Sequence, residues 1–235
     1  MQSVSLEDIH DAARLLEGVI RHTPSLSAGW IEKKYGIPVS FKCENLQRAG
    51  SFKIRGAYNR IARLTEQERS RGVVAASAGN HAQGVALAAQ ILGIQATIFM
   101  PVGAPIPKLQ ATVGYGATVK FHGATIDETL LAAIAFSEQT GAVFIHPFDH
   151  EHIVAGQGTM GLEILAQNPD VKTVVVCTGG GGLLAGTALA IKSLRPDIKV
   201  IGVQAEMAAS YPPSLAAGSP QMLPKMATMA DGIAV

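Results

Sequence analysis

A chain of 235 residues can hold one large α/β domain or two modest ones, with ample core in either case. Its 19 Lys and Arg against 18 Asp and Glu leave a formal charge of +1, so there is no broad electrostatic footing for nucleic acid or an anionic membrane. The 48% hydrophobic and 16% charged composition suits strands buried on both faces.

The N-terminus carries Glu7 and Asp8 early and lacks a basic start followed by an apolar run, so no secretory signal is read. Periodicity predicts helices over Leu6 to Val19 and Ala28 to Tyr35, a strand over Val39 to Glu44 and a helix over Phe52 to Leu64. After residue 70, short β-branched runs alternate with Ala/Leu-rich segments, the pattern of consecutive βα units around a parallel sheet. Strands are expected at Val73 to Ser77, Ala96 to Met100, Thr118 to Phe121, Val143 to His146, Thr173 to Cys177 and Lys199 to Gln204. The helices between them are expected at Asn80 to Leu92, Pro107 to Val113, Ile126 to Gln139, Ile153 to Ala166 and Leu183 to Leu194. Gly93, Gly141, Pro169 and Pro196 supply stop signals.

Cys43 and Cys177 fall in strand-like runs and are expected to be buried reduced thiols, which implies a cytosolic setting. Val174 to Ile191 has no charge over 18 residues, but the glycine run inside it favours strand, turn and helix over a membrane span. From Tyr211 to Val235 the periodicity is lost, and Pro212, Pro213, Pro220 and Pro224 are expected to break any long helix. The closing Gly-Ile-Ala-Val reads as the start of something unfinished.

Three motifs carry chemistry. In Ser51-Phe52-Lys53-Ile54-Arg55-Gly56, Ser51 reads as an N-cap and Lys53 as the second helical residue. The helix dipole and apolar neighbours there favour a neutral amine, the nucleophile of Schiff-base chemistry. Alone, Lys53 reads equally well as a solvated first-turn residue. The second motif, Ser77-Ala78-Gly79-Asn80-His81, is a strand-to-helix corner whose free N–H groups suit a carboxylate. An ordinary capped turn is its plainer reading, and His81 reads as structural rather than as a base.

The third motif, Thr178-Gly179-Gly180-Gly181-Gly182-Leu183, can curl so that several N–H groups converge on a phosphate. No GKS or GKT follows it, which argues against a P-loop. A dinucleotide fingerprint through Gly180, Gly182 and Ala185 fits weakly, with no acid at a strand end until Glu206. The run His146-Pro147-Phe148-Asp149-His150-Glu151-His152 offers metal-ligand residue types, yet its proline and strand-end position read as a loop.

With these motifs in order, the chain resembles the serine/threonine dehydratase family of pyridoxal phosphate enzymes over about residues 5 to 235. The resemblance rests on Glu44-Asn45-Leu46-Gln47, Ser51 to Ala57, Ser77 to Gly84, His146 to Asp149, Ala155 to Thr159 and Gly179 to Gly186. It implies an α/β, two-domain fold type II architecture, similar to tryptophan synthase β, with parallel-rich sheets flanked by helices. A small domain at 72–148 would be nested in a larger one formed by 1–71 and 149–235.

The resemblance implies pyridoxal 5'-phosphate as cofactor, held covalently by Lys53, with Phe52 beside its ring and Asn80 on the ring hydroxyl. Gly179, Gly180, Gly181, Gly182 and Leu183 would hold the phosphate, and Ser77, Ala78, Gly79, Asn80 and His81 would frame the substrate carboxylate. The implied activity is β-elimination of L-threonine or L-serine to a 2-oxo acid and ammonia by a cytoplasmic homo-oligomer, a dimer or tetramer. Nucleic acid and membrane partners are not expected. Two departures stand out. Related serine racemases carry a serine where this chain has Ala78, which disfavours racemisation. Some relatives bind a divalent cation through acids after the last strand, where this chain has Gln204 and Ser210 with Glu206 offset, so no metal is expected. Family members also run longer at the C-terminus, so a truncated, non-catalytic binding module is the alternative reading.

Overall fold

The computed structural model describes residues 3–233. The first elements in chain order are α1 (Leu6–Leu16), β1 (Ser25–Ser27), α2 (Gly29–Tyr35), β2 (Ser40–Lys42), α3 (Lys53–Ala62) and α4 (Glu66–Arg71). A regular alternation follows: β3 (Val73–Ala76), α5 (Asn80–Leu92), β4 (Ala96–Met100), α6 (Ile106–Gly114), β5 (Thr118–Phe121), α7 (Ile126–Thr140) and β6 (Val143–Phe144). The chain then runs through α8 (Glu151–Gln167), β7 (Thr173–Cys177), α9 (Gly182–Leu194), β8 (Lys199–Val203) and α10 (Tyr211–Ala217).

Residues 73–144 build a four-stranded sheet of order β5-β4-β3-β6, parallel throughout. Side-chain alternation decides its layers. Val73 and Ala75 face α3 and α5 in one core, while Val74 and Ala76 face α7 in another. Every residue of β3 is therefore buried, as expected for a parallel strand covered on both sides.

The second sheet, β7-β8, is parallel and differently covered. Val174 and Val176 pack with Leu183 and Ile191 of α9 and with Met160 and Ile164 of α8. The opposite face carries Val175, 62% exposed, and Val203, 47% exposed. Cys177 points the same way and is exposed, and Cys43 is only half-buried just past β2. The expectation of two buried thiols is thus corrected: the residues of β7 alternate between a covered and an open face.

Glycines let three helices lie backbone to backbone. A methyl group at Gly156 of α8 would stand 2.6 Å from the Arg55 carbonyl of α3, and one at Gly158 would stand 3.0 Å from the Gly186 carbonyl of α9. A buried ion network pins the same layer. The Arg55 guanidinium, fully buried, pairs with both carboxylate oxygens of Glu44 at 2.8 Å and donates to Glu163 at 2.6 Å and to Thr159 at 3.1 Å. Lys42 closes the network on the other Glu163 oxygen. Burial alone would raise the Glu163 carboxyl, but Arg55 and Lys42 outweigh it and hold it below the usual range.

Several boundaries move. The expected N-cap Ser51 is extended, Phe52 is the cap and Lys53 the first helical residue, with the Lys53 N–H 3.4 Å from Ser51 Oγ. The segment expected as one strand from Val39 is the short β2 followed by a 3-10 turn at Glu44–Leu46. No long helix forms among the described residues after Tyr211, but the prolines at 212 and 213 fit the first turn of the seven-residue α10, where no intrahelical donor is needed. Among the described residues, no helix is long and apolar enough to cross a membrane.

Candidate active site

A cavity of about 320 Å³ opens at the C-terminal ends of β3 and β7, where parallel strands hand over to helices. Phe52, Lys53, Ser77, Ala78, Gly79, Asn80, His81, Gly179, Gly180, Gly181, Gly182 and Leu183 all line it. The residues expected at the cofactor and the substrate carboxylate thus line one space. That volume lies near the lower end of small-ligand pockets.

Lys53 reaches the cavity because α3 starts where the chain leaves an irregular turn. Ala49 there holds φ 58, uncommon for a residue with a side chain, and Gly50 follows at φ 70. The Lys53 Nζ donates to the Pro147 carbonyl at 2.8 Å and sits 5.4 Å from the centre of the Phe52 ring. Among the described residues no carboxylate forms an ion pair with Lys53. Burial pulls its amine down from the usual lysine value to about 8.

At the first corner the N–H of Gly79 donates to Ser77 Oγ at 3.0 Å, and α5 begins with Asn80, exposed toward solvent. Space around Gly79 is open: the nearest neighbour to an added methyl group would be Lys108 Nζ at 3.7 Å. His81 is different. Its Nε2 is 2.8 Å from the Ile145 carbonyl, so the neutral ring carries its proton there, and burial drives the imidazole down to about 3. The ring is committed to the backbone, in keeping with the structural reading.

The second corner is built by exclusion. Gly181 caps α9 at φ 90, a left-handed conformation, and a methyl group there would overlap the Tyr211 hydroxyl. One at Gly180 would enter the Phe148 ring, and one at Gly182 would stand 2.6 Å from the Phe148 carbonyl. Glycine is required so that the bare backbone can pass between these groups. The first N–H groups of α9 lack intrahelical partners by helix geometry, and the macrodipole adds positive potential. A tetrahedral anion fits this cradle. Gln157, buried, lines the same cavity, and its Oε1 has no hydrogen-bond partner among the described residues. A backbone anion cradle and an amine of lowered basicity suit a phosphorylated aldehyde.

Several contributors were given no site role by the sequence. Pro147, Phe148 and Tyr211 form or back the cavity wall, and Lys108, Pro101, Pro105 and Ile126 also line it. Burial, with Asp149 nearby, pushes the Tyr211 phenol above its usual range. Gly232 and Ile233 also reach the cavity. Among the described residues no three His, Cys, Asp or Glu side chains converge as a metal set.

Comparison with known proteins places these residues in company. A family described as "Pyridoxal-phosphate dependent enzyme" matches residues 16–235. The chain is 54% identical over 232 residues to an L-threonine ammonia-lyase of Thermotoga maritima, covering 99% of this chain and 58% of that protein. It therefore spans little more than half the length of the curated relatives it matches. Maize serine racemase superimposes with a TM-score of 0.95 at 39% identity, covering 98% of this chain and 70% of that one. The processed form of threonine deaminase isoform 2 from Solanum lycopersicum gives 0.93 at 41% identity, covering 97% and 63%.

Proposed function

Since the chain belongs to the pyridoxal-phosphate dependent enzymes, of fold type II as its solved neighbours indicate, we propose that it is the catalytic core of an L-threonine or L-serine ammonia-lyase. The observation that carries this reading is the low-basicity Lys53 amine sharing one cavity with the glycine cradle. When bound, pyridoxal 5'-phosphate supplies the electron sink that makes the α-proton of an amino acid removable.

The chain's own residues divide the remaining work. Gly179 to Gly182 and Leu183 hold the phosphate through backbone N–H groups, and Lys53 holds the aldehyde end. Phe52 packs beside the ring, and Asn80 serves the ring hydroxyl. Ser77, Ala78, Gly79 and Asn80 frame the substrate carboxylate at the start of α5. Once the substrate amine had replaced it at the aldehyde, the freed Lys53 Nζ would take the α-proton as general base, a role that needs the neutral amine that burial favours. In sum the α-proton and the β-hydroxyl would leave as water, and one water would be taken up again as the enamine product hydrolyses to a 2-oxo acid and ammonia.

Ala78 has no group to move a proton on the opposite face, which supports elimination over racemisation. The four-stranded sheet falls wholly within 72–148, which supports a small domain nested between 1–71 and 149–235, with the cavity between the two. We take the working form to be a homo-oligomer. The exposure of Trp30, Tyr35 and Ile37, at 57–69% along and just past α2, supports it. Both cysteines are free, which supports a reducing, cytoplasmic setting.

The test is ammonia and 2-oxobutanoate release from L-threonine with added cofactor, compared with Lys53→Ala. Release in the parent chain that is lost in the variant supports the reading. Cofactor binding with no release from threonine or serine overturns it.

A further inference from the structure

The reaction as proposed leaves His146 without a role. In the structure its Nδ1 accepts two backbone hydrogen bonds, from the N–H of Phe148 at 3.2 Å and of Asp149 at 2.8 Å. In the neutral ring the proton therefore resides on Nε2. The turn closed in this way presents two surfaces to the cavity. The carbonyl of Pro147 receives the Lys53 amine at 2.8 Å. The ring and carbonyl of Phe148 form the wall against which Gly180 and Gly182 lie.

The imidazole is itself fixed between aromatic neighbours. It meets the Phe148 ring edge-on at 4.7 Å and 89°, and the Phe144 ring at 6.2 Å and 80°. Just upstream, the Ile145 carbonyl is held by His81. We propose that His146 is a positioning residue whose Nδ1 clamps the 147–149 turn, so that one element sets both the Lys53 amine and the glycine cradle.

This inference rests on Lys53 and the glycine loop being the cofactor's two anchors. The clamp works only with the ring neutral, because a proton on Nδ1 removes the acceptor. The charged and titratable groups facing it are Lys53 of α3, His81 of α5, and Asp149 and His150 of its own loop. Burial and Lys53 disfavour the imidazolium more than Asp149 favours it, so the ring stays neutral.

The experiment pairs amide hydrogen exchange at Phe148 and Asp149 in the cofactor-free chain with equilibrium binding of pyridoxal 5'-phosphate. Parent chain, His146→Ala and His146→Asn are compared, since an Asn side-chain oxygen can accept the same N–H groups. Losing two hydrogen bonds worth about 1 kcal/mol each should speed exchange and weaken binding by roughly tenfold or more in His146→Ala. His146→Asn should recover most of both losses. Unchanged binding in His146→Ala despite faster exchange overturns the proposal, because the turn would then be held without setting the anchors. Equal losses in a folded His146→Asn overturn it too, assigning the effect to ring packing. A parent chain that binds no cofactor contradicts the proposed function, and the exchange rates then decide the clamp by themselves: unchanged exchange in His146→Ala overturns it.

Discussion

The two strand-to-helix corners of the cavity solve similar problems by different means. At Ser77 to His81 the backbone has room, with a methyl group at Gly79 meeting only Lys108 Nζ at 3.7 Å, and side chains such as Ser77 do part of the holding. At Gly180 to Gly182 the backbone is walled in by Phe148 and Tyr211, so that no side chain fits. A substrate carboxylate that must enter and leave suits the adjustable corner. A resident phosphate suits the rigid one, because a preformed site loses less ordering entropy on binding.

The sharpest way to break this contrast is Gly181→Ala. The added methyl group meets the Tyr211 hydroxyl at a left-handed φ of 90, and either strain alone costs about 1–3 kcal/mol. Cofactor affinity should fall roughly 100-fold or more, measured by titration of the chromophore. Retained affinity would mean that the rigid corner does not hold the phosphate.

The next effect is acid sensitivity at the first corner. Folded His81 stays neutral down to about 3, whereas the unfolded imidazole takes up a proton below about 6.5. The unfolded state then binds more protons, so stability should fall as pH drops from 6.5 toward 3, by roughly 1.4 kcal/mol per pH unit. His150, lowered to about 4 by burial and Arg60, acts in the same direction. Denaturant melts at stepped pH check this, and His81→Gln, which can still donate to Ile145, should flatten the slope.

Smaller effects should follow at the adjustable corner. Ser77→Ala removes the acceptor for the Gly79 N–H, and a loss of about 1 kcal/mol predicts a several-fold rise in KM for threonine with cofactor affinity unchanged. Gly79→Ala should change cofactor affinity least, because its φ of −142 lies outside the left-handed region and the space is open. Should Gly79→Ala match Gly181→Ala in that binding measurement, the two corners would not differ as described.

Much of this site is legible in the chain because local chemistry marks it: β-branched strands, glycine corners and a lysine opening a helix. The boundaries of β4, β5, β7 and α5 coincide with the pattern for the same reason. The rest depends on partners remote in sequence. Pro147 lies 94 positions from the lysine it receives, and no periodicity joins Tyr211 to Gly181. The helix α4, Glu-Gln-Glu-Arg-Ser-Arg, has no apolar face to betray it, although the capping box of Thr65 and Glu68 was a readable signal. The strand β1 spans three residues, too short for alternation to show.

Borohydride reduction of the cofactor-loaded chain followed by peptide mass mapping addresses the central assignment most directly. A pyridoxyl phosphate adduct on Lys53, absent in Lys53→Ala, is the predicted result. An adduct confined to another lysine, such as Lys108, which also lines the cavity, would contradict it.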